Sequence, residues 1–254
     1  MAKKKVNKKS IKEIEIKRTG GQIALRGFSY QLIYSCYIAL KFLNSDNESI
    51  RFEGIEDVDL YKSTLKNSEE INHIQLKYSL GKQSADFFDG ILKNYLEVYL
   101  ADTHNNNRKF TLIYDAEISK GNLSKLINRR LDDKSRKYWI EKVEKIKSEN
   151  SHWNWNGFDF DKFYNKLEFN NLRKDDIINE IDKLNIQRFN ILNSNEGLFR
   201  NALFYNIFHM AQERQIITKL SLQKIIQDTI DEISKGSKNP SYKWIDKIDF
   251  NTIS

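Results

Sequence analysis

Glu53, Glu56, Asp57 and Asp59 crowd into the stretch RFEGIEDVDLYKS (51–63), and Gln75 and Lys77 follow in HIQLKYS (73–79). Both stretches alternate β-branched or aromatic residues with polar ones, the pattern of a strand. Side chains two apart in a strand share a face. One continuous strand over 51–63 therefore groups Glu53, Asp57 and Asp59, while Gln75 and Lys77 share a face of the next. If the strands pair, a carboxylate cluster stands opposite an amide and an ammonium. Hard oxygen donors of this kind suit Mg2+ or Mn2+. Such an ion polarises a phosphodiester and lowers the pKa of an attacking water. A lysine beside it orients that water or stabilises charge building on phosphorus. The same alternation also fits an edge strand whose acids and lysine face solvent in ion pairs worth about 0–1 kcal/mol, and spacing is compatible with both.

Elements that would position this cluster are legible on either side. TGGQIALRG (19–27) reads as a glycine-punctuated loop, with Gly20, Gly21 and Gly27 giving turn geometry. FSYQLIYSCYIALKFL (28–43) reads as a helix, since Phe28, Leu32, Cys36, Ala39 and Leu43 recur at helical spacing and Asn44 follows as a stop. Arg26, just before that helix, is a candidate phosphate contact, helped by the partial positive charge of a helix N-terminus. A second helix is expected over 84–102 with Ser84 as its N-cap, then a buried strand at KFTLIYDA (109–116) and helices within 122–149. This helix–strand–strand–helix–strand–helix order predicts an α/β fold, a mixed sheet with helices on its faces. Beyond residue 150 the chain changes character. An aromatic stretch with Trp153 and Trp155, where packing is favoured over base stacking, and a short strand near KFYNKLEF (162–169) precede three amphipathic helices. The organisation read from this is a basic arm (1–19), a nuclease-sized core (20–150) and a helical section (151–254) packed on the core or mediating assembly. The segment LFRNALFYNIFHM (198–210) is apolar around much of its circumference, which implies burial on several sides, within the chain or against a partner.

Composition narrows the classes. Of 254 residues 39% are hydrophobic and 30% charged, with a net charge of +7. That is enough to bury a sizeable core and excludes a disordered chain. The positive balance, five lysines of it in the first nine residues, favours a polyanionic partner. No apolar run reaches the roughly 18 residues of a membrane span, and the N-terminus lacks a signal peptide's apolar region. A cytoplasmic location is expected. The single cysteine, Cys36, excludes an internal disulfide. None of the four histidines has metal-ligand spacing, and His73, nearest the acids, reads as an ordinary strand residue.

Asp57 followed by Gln-x-Lys on the next strand resembles the PD-(D/E)xK restriction-endonuclease superfamily in its QxK variant. The wider text is more specific. GGQIALRGFSYQ, EGIEDVDL and HIQLKYS, in that order within Gly20–Ser79, resemble the double-stranded DNA endonuclease domain of bacterial antiphage effectors. Such domains occur fused to cyclic-nucleotide sensors in CBASS systems, fused to STAND ATPases, or beside a HerA-type ATPase. The resemblance covers the first half of the chain well and the remainder more weakly.

The resemblance implies a restriction-endonuclease-like core and Mg2+- or Mn2+-dependent hydrolysis of duplex DNA with low sequence specificity. It makes Asp57 the metal-binding strand aspartate and Lys77 the catalytic lysine. Gln75 takes the place usually held by an acid, so its amide oxygen ligates without contributing charge. Gln31 falls where a further polar or acidic residue supports the site, and Glu53 and Asp59 are reserve ligands. Spacing leaves Asp57 and Asp59 both open as the principal ligand, and Asp57 is favoured. A nuclease of this kind needs restraint, so a homo-oligomer and a separately encoded ATPase or sensor are expected. The chain is then a stand-alone subunit or an excised domain. A catalytically silent DNA-binding or assembly subunit, and a ribonuclease using the same site, are the competing readings.

Overall fold

The computed structural model describes residues 20–43, 45–64, 69–101, 107–189 and 196–234. The basic arm, Asn44 and His104 lie outside these residues. Six strands form one mixed sheet. They are β1 (Glu48–Phe52), β2 (Val58–Ser63), β3 (Glu69–Tyr78), β4 (Arg108–Asp115), β5 (Leu167–Asn171) and β6 (Ile216–Thr218), in the order β5-β4-β3-β2-β1-β6. β3, β4 and β5 run parallel, and the β6-β1-β2-β3 half is antiparallel.

Helices cover both faces, as a sheet with a parallel half requires. One face carries α1 (Gly20–Phe42), α6 (Lys174–Phe189), α7 (Glu196–Gln212) and α8 (Lys219–Ser234), packed over Ile50, Val58, Ile74, Leu76 and Ile113. The other carries a 3-10 turn (Ala85–Phe88), α2 (Asp89–Ala101), α3 (Asn122–Ile127), α4 (Asp133–Glu149) and α5 (Phe160–Tyr164), packed over Phe110, Leu112 and Tyr114. The strand alternation expected from the sequence thus divides two apolar cores. α4 starts on a capping box, with the Asp132 carboxylate accepting from the Ser135 N–H at 2.9 Å.

Several details differ from the sequence reading. The stretch 51–63 is a hairpin rather than one strand: β1 ends at Phe52, residues 53–57 turn, and β2 begins at Val58. The Glu53 N–H donates to the Asp57 carbonyl at 3.1 Å and closes the turn. α1 starts at Gly20, where a loop was expected, and its opening turns stand clear of the core with Ile23 and Leu25 exposed. The second helix is a 3-10 turn followed by an α-helix, and the Ser84 side chain makes no cap bond. Both edge strands, β5 and β6, come from beyond residue 150, so the sheet crosses the division placed there. The short strand expected near 162–169 is β5, displaced to Leu167–Asn171 because Phe160–Tyr164 is helical, while β6, with three residues, has too little apolar periodicity to read as a strand. The apolar α7 is covered by α1, α6 and α8 of the same chain, with Phe199, Leu203 and Ile207 fully buried. Trp153 and Trp155 stack on each other against the second core.

Candidate active site

The site forms where β2 and β3 part. β2 pairs with β3 from Ser63↔Glu69 to Val58↔Ile74, and the chain before Val58 then turns away. β3 runs on for four more residues paired only to β4. On its vacated edge the Leu76 N–H donates to the Asp57 carboxylate at 2.6 Å rather than to a strand carbonyl. Asp57 therefore caps the open edge of β3. The Gln75 amide donates to the same oxygen, and the Gln31 amide, from α1, donates to the other at 2.9 Å. Three elements thus converge on one carboxylate, and the grouping of Asp57, Gln75 and Gln31 expected from the sequence is present. Burial pushes the Asp57 carboxyl above its usual range, opposed by the Leu76 N–H, the Lys77 charge and the two amides.

Lys77 lies two residues beyond Gln75 on the same face of β3. It is half-buried, and its charge acts on both Asp57 and Glu56. Among the described residues it has neither a hydrogen bond nor an ion pair, which leaves the ammonium available to a ligand.

The structure places Asp59 elsewhere. It is fully buried, and its carboxylate accepts from the Ile55 N–H and from His73 Nδ1, each at 2.7 Å. Arg108 donates to His73 Nε2 at 2.7 Å, so Nδ1 carries the hydrogen that Asp59 accepts. Asp59 thus has both oxygens committed inside the sheet and does not join Asp57, because the turn at 53–57 breaks the shared face. Its carboxylate fills the space over Gly54: a Cβ there would stand 2.2 Å from Asp59 Oδ2. Gly54 is needed for this close approach, and a glycine interrupting a strand pattern was the sequence signal for the turn. Glu53, at φ 50°, sits at the head of the turn. Partial burial and Asp57 push its carboxyl up, and Arg214 opposes them. Arg26 is exposed on α1, five residues before Gln31 and so about 7.5 Å along the helix axis; it is not part of the cluster.

One acid escaped the period-two reading. Grouping Glu53, Asp57 and Asp59 left Glu56 out of the cluster, yet in the turn it is buried beside Asp57 and Asp59. Burial first, then those two carboxylates, push its carboxyl up to about 8, with Lys77 acting against them.

Among the described residues no group of three or more His, Cys, Asp or Glu side chains is arranged to hold a metal. The Asp57–Gln75 pair nevertheless fits a divalent ion of the Mg2+ type. Such an ion needs only one or two protein oxygens and takes the rest from water and substrate phosphate. Gln75 here turns its nitrogen toward Asp57. Rotation of the amide by half a turn presents its oxygen instead, while Gln31 and Leu76 keep their hold on Asp57.

A family model described as "Cap4, dsDNA endonuclease domain" matches residues 19–242. Among solved structures the chain is similar to a SAVED/CARF-domain-containing Cap4 receptor of Acinetobacter baumannii with the cyclic trinucleotide 2'3'3'-cAAA. The two share 15% identity and a TM-score of 0.54, over 81% of this chain and 45% of that one. It is similar also to such a receptor of Moraxella osloensis, with 16% identity and a TM-score of 0.51, over 83% of this chain and 49% of that one. At these identities the likeness shows the fold. This chain spans about half the length of either receptor. Comparison with curated proteins gives no match.

Proposed function

This chain belongs to the Cap4 family of double-stranded DNA endonuclease domains, and from that membership we propose that it is a metal-dependent endonuclease that cuts duplex DNA with low sequence specificity in bacterial antiphage defence. The observation that carries the reading is the convergence of Asp57, Gln75 and Gln31 at the open edge of β3, with Lys77 beside them and without a partner among the described residues. Asp57 and Gln75 hold Mg2+ or Mn2+, which when bound polarises the scissile phosphate and acidifies a water. Gln31 and the Leu76 N–H fix the Asp57 carboxylate. Lys77 orients the attacking water or stabilises the charge that develops on phosphorus. Arg26, exposed on α1, contacts the DNA backbone.

Regulation is proposed on the same footing. The receptors of similar fold contain a SAVED/CARF domain, and an effector nuclease left unrestrained would cut its host's DNA. We expect control by a sensor or by an ATPase of the HerA or STAND type, and a homo-oligomer whose paired sites cut both strands. Location in the cytoplasm belongs to the same proposal. Among the described residues no helix is long and apolar enough to cross a membrane.

The second reading, a silent DNA-binding or assembly subunit, draws on the neutral Gln75 and the absence of a three-acid cluster among the described residues. Plasmid cleavage with Mg2+ or Mn2+, with and without a candidate partner, decides between them. Cleavage lost without metal and in Lys77→Ala supports the nuclease. DNA binding that survives metal removal, with no cleavage in any condition, supports the silent subunit. Parallel duplex RNA substrates test the ribonuclease.

A further inference from the structure

Among the described residues three that are not glycine hold a left-handed backbone: Glu53 at φ 50°, Arg129 at 57° and Arg214 at 50°. The two arginines occupy the same position of the same device. Where α3 ends, the Arg129 N–H donates to the Leu126 carbonyl at 3.2 Å and the Arg130 N–H to the Lys125 carbonyl at 2.9 Å. Where α7 ends, the Arg214 N–H donates to the Ala211 carbonyl at 3.0 Å and the Gln215 N–H to the Met210 carbonyl at 2.9 Å. Such paired bonds form a Schellman cap, whose left-handed residue is ordinarily glycine because a Cβ there is crowded.

The side chain of Arg129 accounts for its place. Its guanidinium donates to the Tyr164 carbonyl at 2.7 Å and to the Leu167 carbonyl, and lies over the Tyr164 ring, 4.4 Å from its centre. Arg214 has no such account. It is exposed, and among the described residues its guanidinium has neither a hydrogen bond nor an ion pair. A cation is favourable anywhere in the last turn of a helix, so the dipole of α7 does not call for an arginine in the left-handed position. What the cap does fix is where the side chain starts. β6 pairs with β1 through Arg51↔Ile216. The same register carried two residues on sets Arg214 beside Glu53, on whose carboxyl its charge acts. Glu53 is in turn bonded to Asp57. Roughly 10 Å, two strand spacings, then separate the Arg214 backbone from that of Asp57, about three steps of a DNA strand at roughly 3.4 Å of rise each. Phe208, near the end of α7, packs edge-on to Phe28 of α1 at 5.5 Å and so ties this cap to the helix that carries Arg26 and Gln31.

An unpartnered guanidinium at the rim of a site for phosphodiesters suits a phosphate, whose oxygens it meets with two N–H donors. We propose that Arg214 binds a backbone phosphate of the duplex a few nucleotides from the scissile one. The inference rests on the reading of the open edge of β3 as the site that receives duplex DNA, and it draws a substrate-binding residue from the helical section beyond residue 150.

The test is binding of a short fluorescent duplex to the full chain, read by anisotropy over about 50–200 mM salt, in EDTA and with Ca2+ in place of Mg2+. Arg214→Gly should bind about eightfold more weakly at about 0.1 M salt, with the slope of log K against log salt shallower by about 0.9, the contribution of one phosphate contact. Its urea midpoint should stay level or rise, because glycine suits the left-handed cap. Arg214→Lys keeps the charge and should keep the slope. Arg214→Asn, which also tolerates the left-handed conformation, should behave as Arg214→Gly does, and it keeps the test open if that variant misfolds. Lys137→Gln, which removes an exposed charge from α4, should leave the slope unchanged. A wild-type slope in Arg214→Gly and Arg214→Asn overturns the role of Arg214 and leaves the site at Asp57 standing. An equal change in Lys137→Gln also overturns it, since net charge then explains both. No duplex binding by the wild type removes the duplex-DNA reading and this inference together.

Discussion

The two ends of β3 carry polar residues on one face and put them to different uses. Over Ile71–Ile74 the strand is hydrogen-bonded on both edges, to β2 and β4. His73 lies there fully buried, with Asp59 on one ring nitrogen and Arg108 on the other. Over Gln75–Tyr78 the strand pairs with β4 alone. Gln75 and Lys77 lie there beside Asp57, and Lys77 has no partner among the described residues. The closed end consumes its polar groups in structure, and the open end leaves them for a ligand. What separates the two is the departure of one neighbouring strand, made possible by the turn at 53–57.

Substitutions at the two ends should therefore fail in different ways. The largest effect is expected at the open end: Lys77→Ala should lower DNA cleavage by about 10^2–10^3-fold, the usual scale for losing one group that stabilises transition-state charge. Its urea midpoint should stay near that of the wild type. An equally large loss of stability would show that Lys77 is structural. At the closed end Asp59→Ala strands two buried donors, the Ile55 N–H and His73 Nδ1–H. It should cost about 2–6 kcal/mol in urea unfolding, from roughly 1–3 kcal/mol for each of the two donors left unpaired. If Asp59→Ala unfolds like the wild type but loses cleavage outright, the two ends are not distinct.

Glu56 gives a signature in pH. Its folded carboxyl is pushed up to about 8 from the usual 4.5. Between those values the folded protein holds a proton that the unfolded chain has released, so this group makes stability fall as pH rises. In EDTA the unfolding free energy of the wild type should decline between about pH 4.5 and 8, by on the order of 2–4 kcal/mol. Glu56→Gln should flatten that decline. Parallel curves for the two proteins would mean that Glu56 ionises in the folded protein much as in water.

The legible and illegible parts of this site divide along physical lines. Asp57, Gln75 and Lys77 could be singled out because strand periodicity and chemical type are local properties, and Gln31 came with the family resemblance. The mixed sheet followed from the order of long periodic segments. The commitment of Asp59 to His73 was hidden, because it depends on strand register and on Arg108, 49 residues further along. Glu56 was hidden for the opposite reason: period two was carried across Gly54, where the chain stops being a strand. β6 was not read, and β5 was expected a few residues early, because edge strands this short take their place from neighbours rather than from their own pattern.

The smallest and most discriminating change is Gln75→Glu. In the metal-free protein the Gln75 amide donates to Asp57, so a glutamate there exchanges an attractive contact for two facing carboxylates beside a third at Glu56. At an effective dielectric near 20 the raw repulsion at 4 Å is about 4 kcal/mol. Proton uptake by one of the acids should absorb most of it, leaving a net loss near 1 kcal/mol in EDTA. Saturating Mn2+ should reverse the order of stability, because the ion gains a charged ligand and adds RT ln(1 + [L]/Kd) to the folded state. Thermal melts of both proteins, in EDTA and in Mn2+, test this directly. A crossing of the two pairs of curves marks the open end of β3 as a cation site. A Gln75→Glu protein that stays less stable by the same margin in both conditions would mean that the amide is there to hold Asp57, and that no ion binds between them.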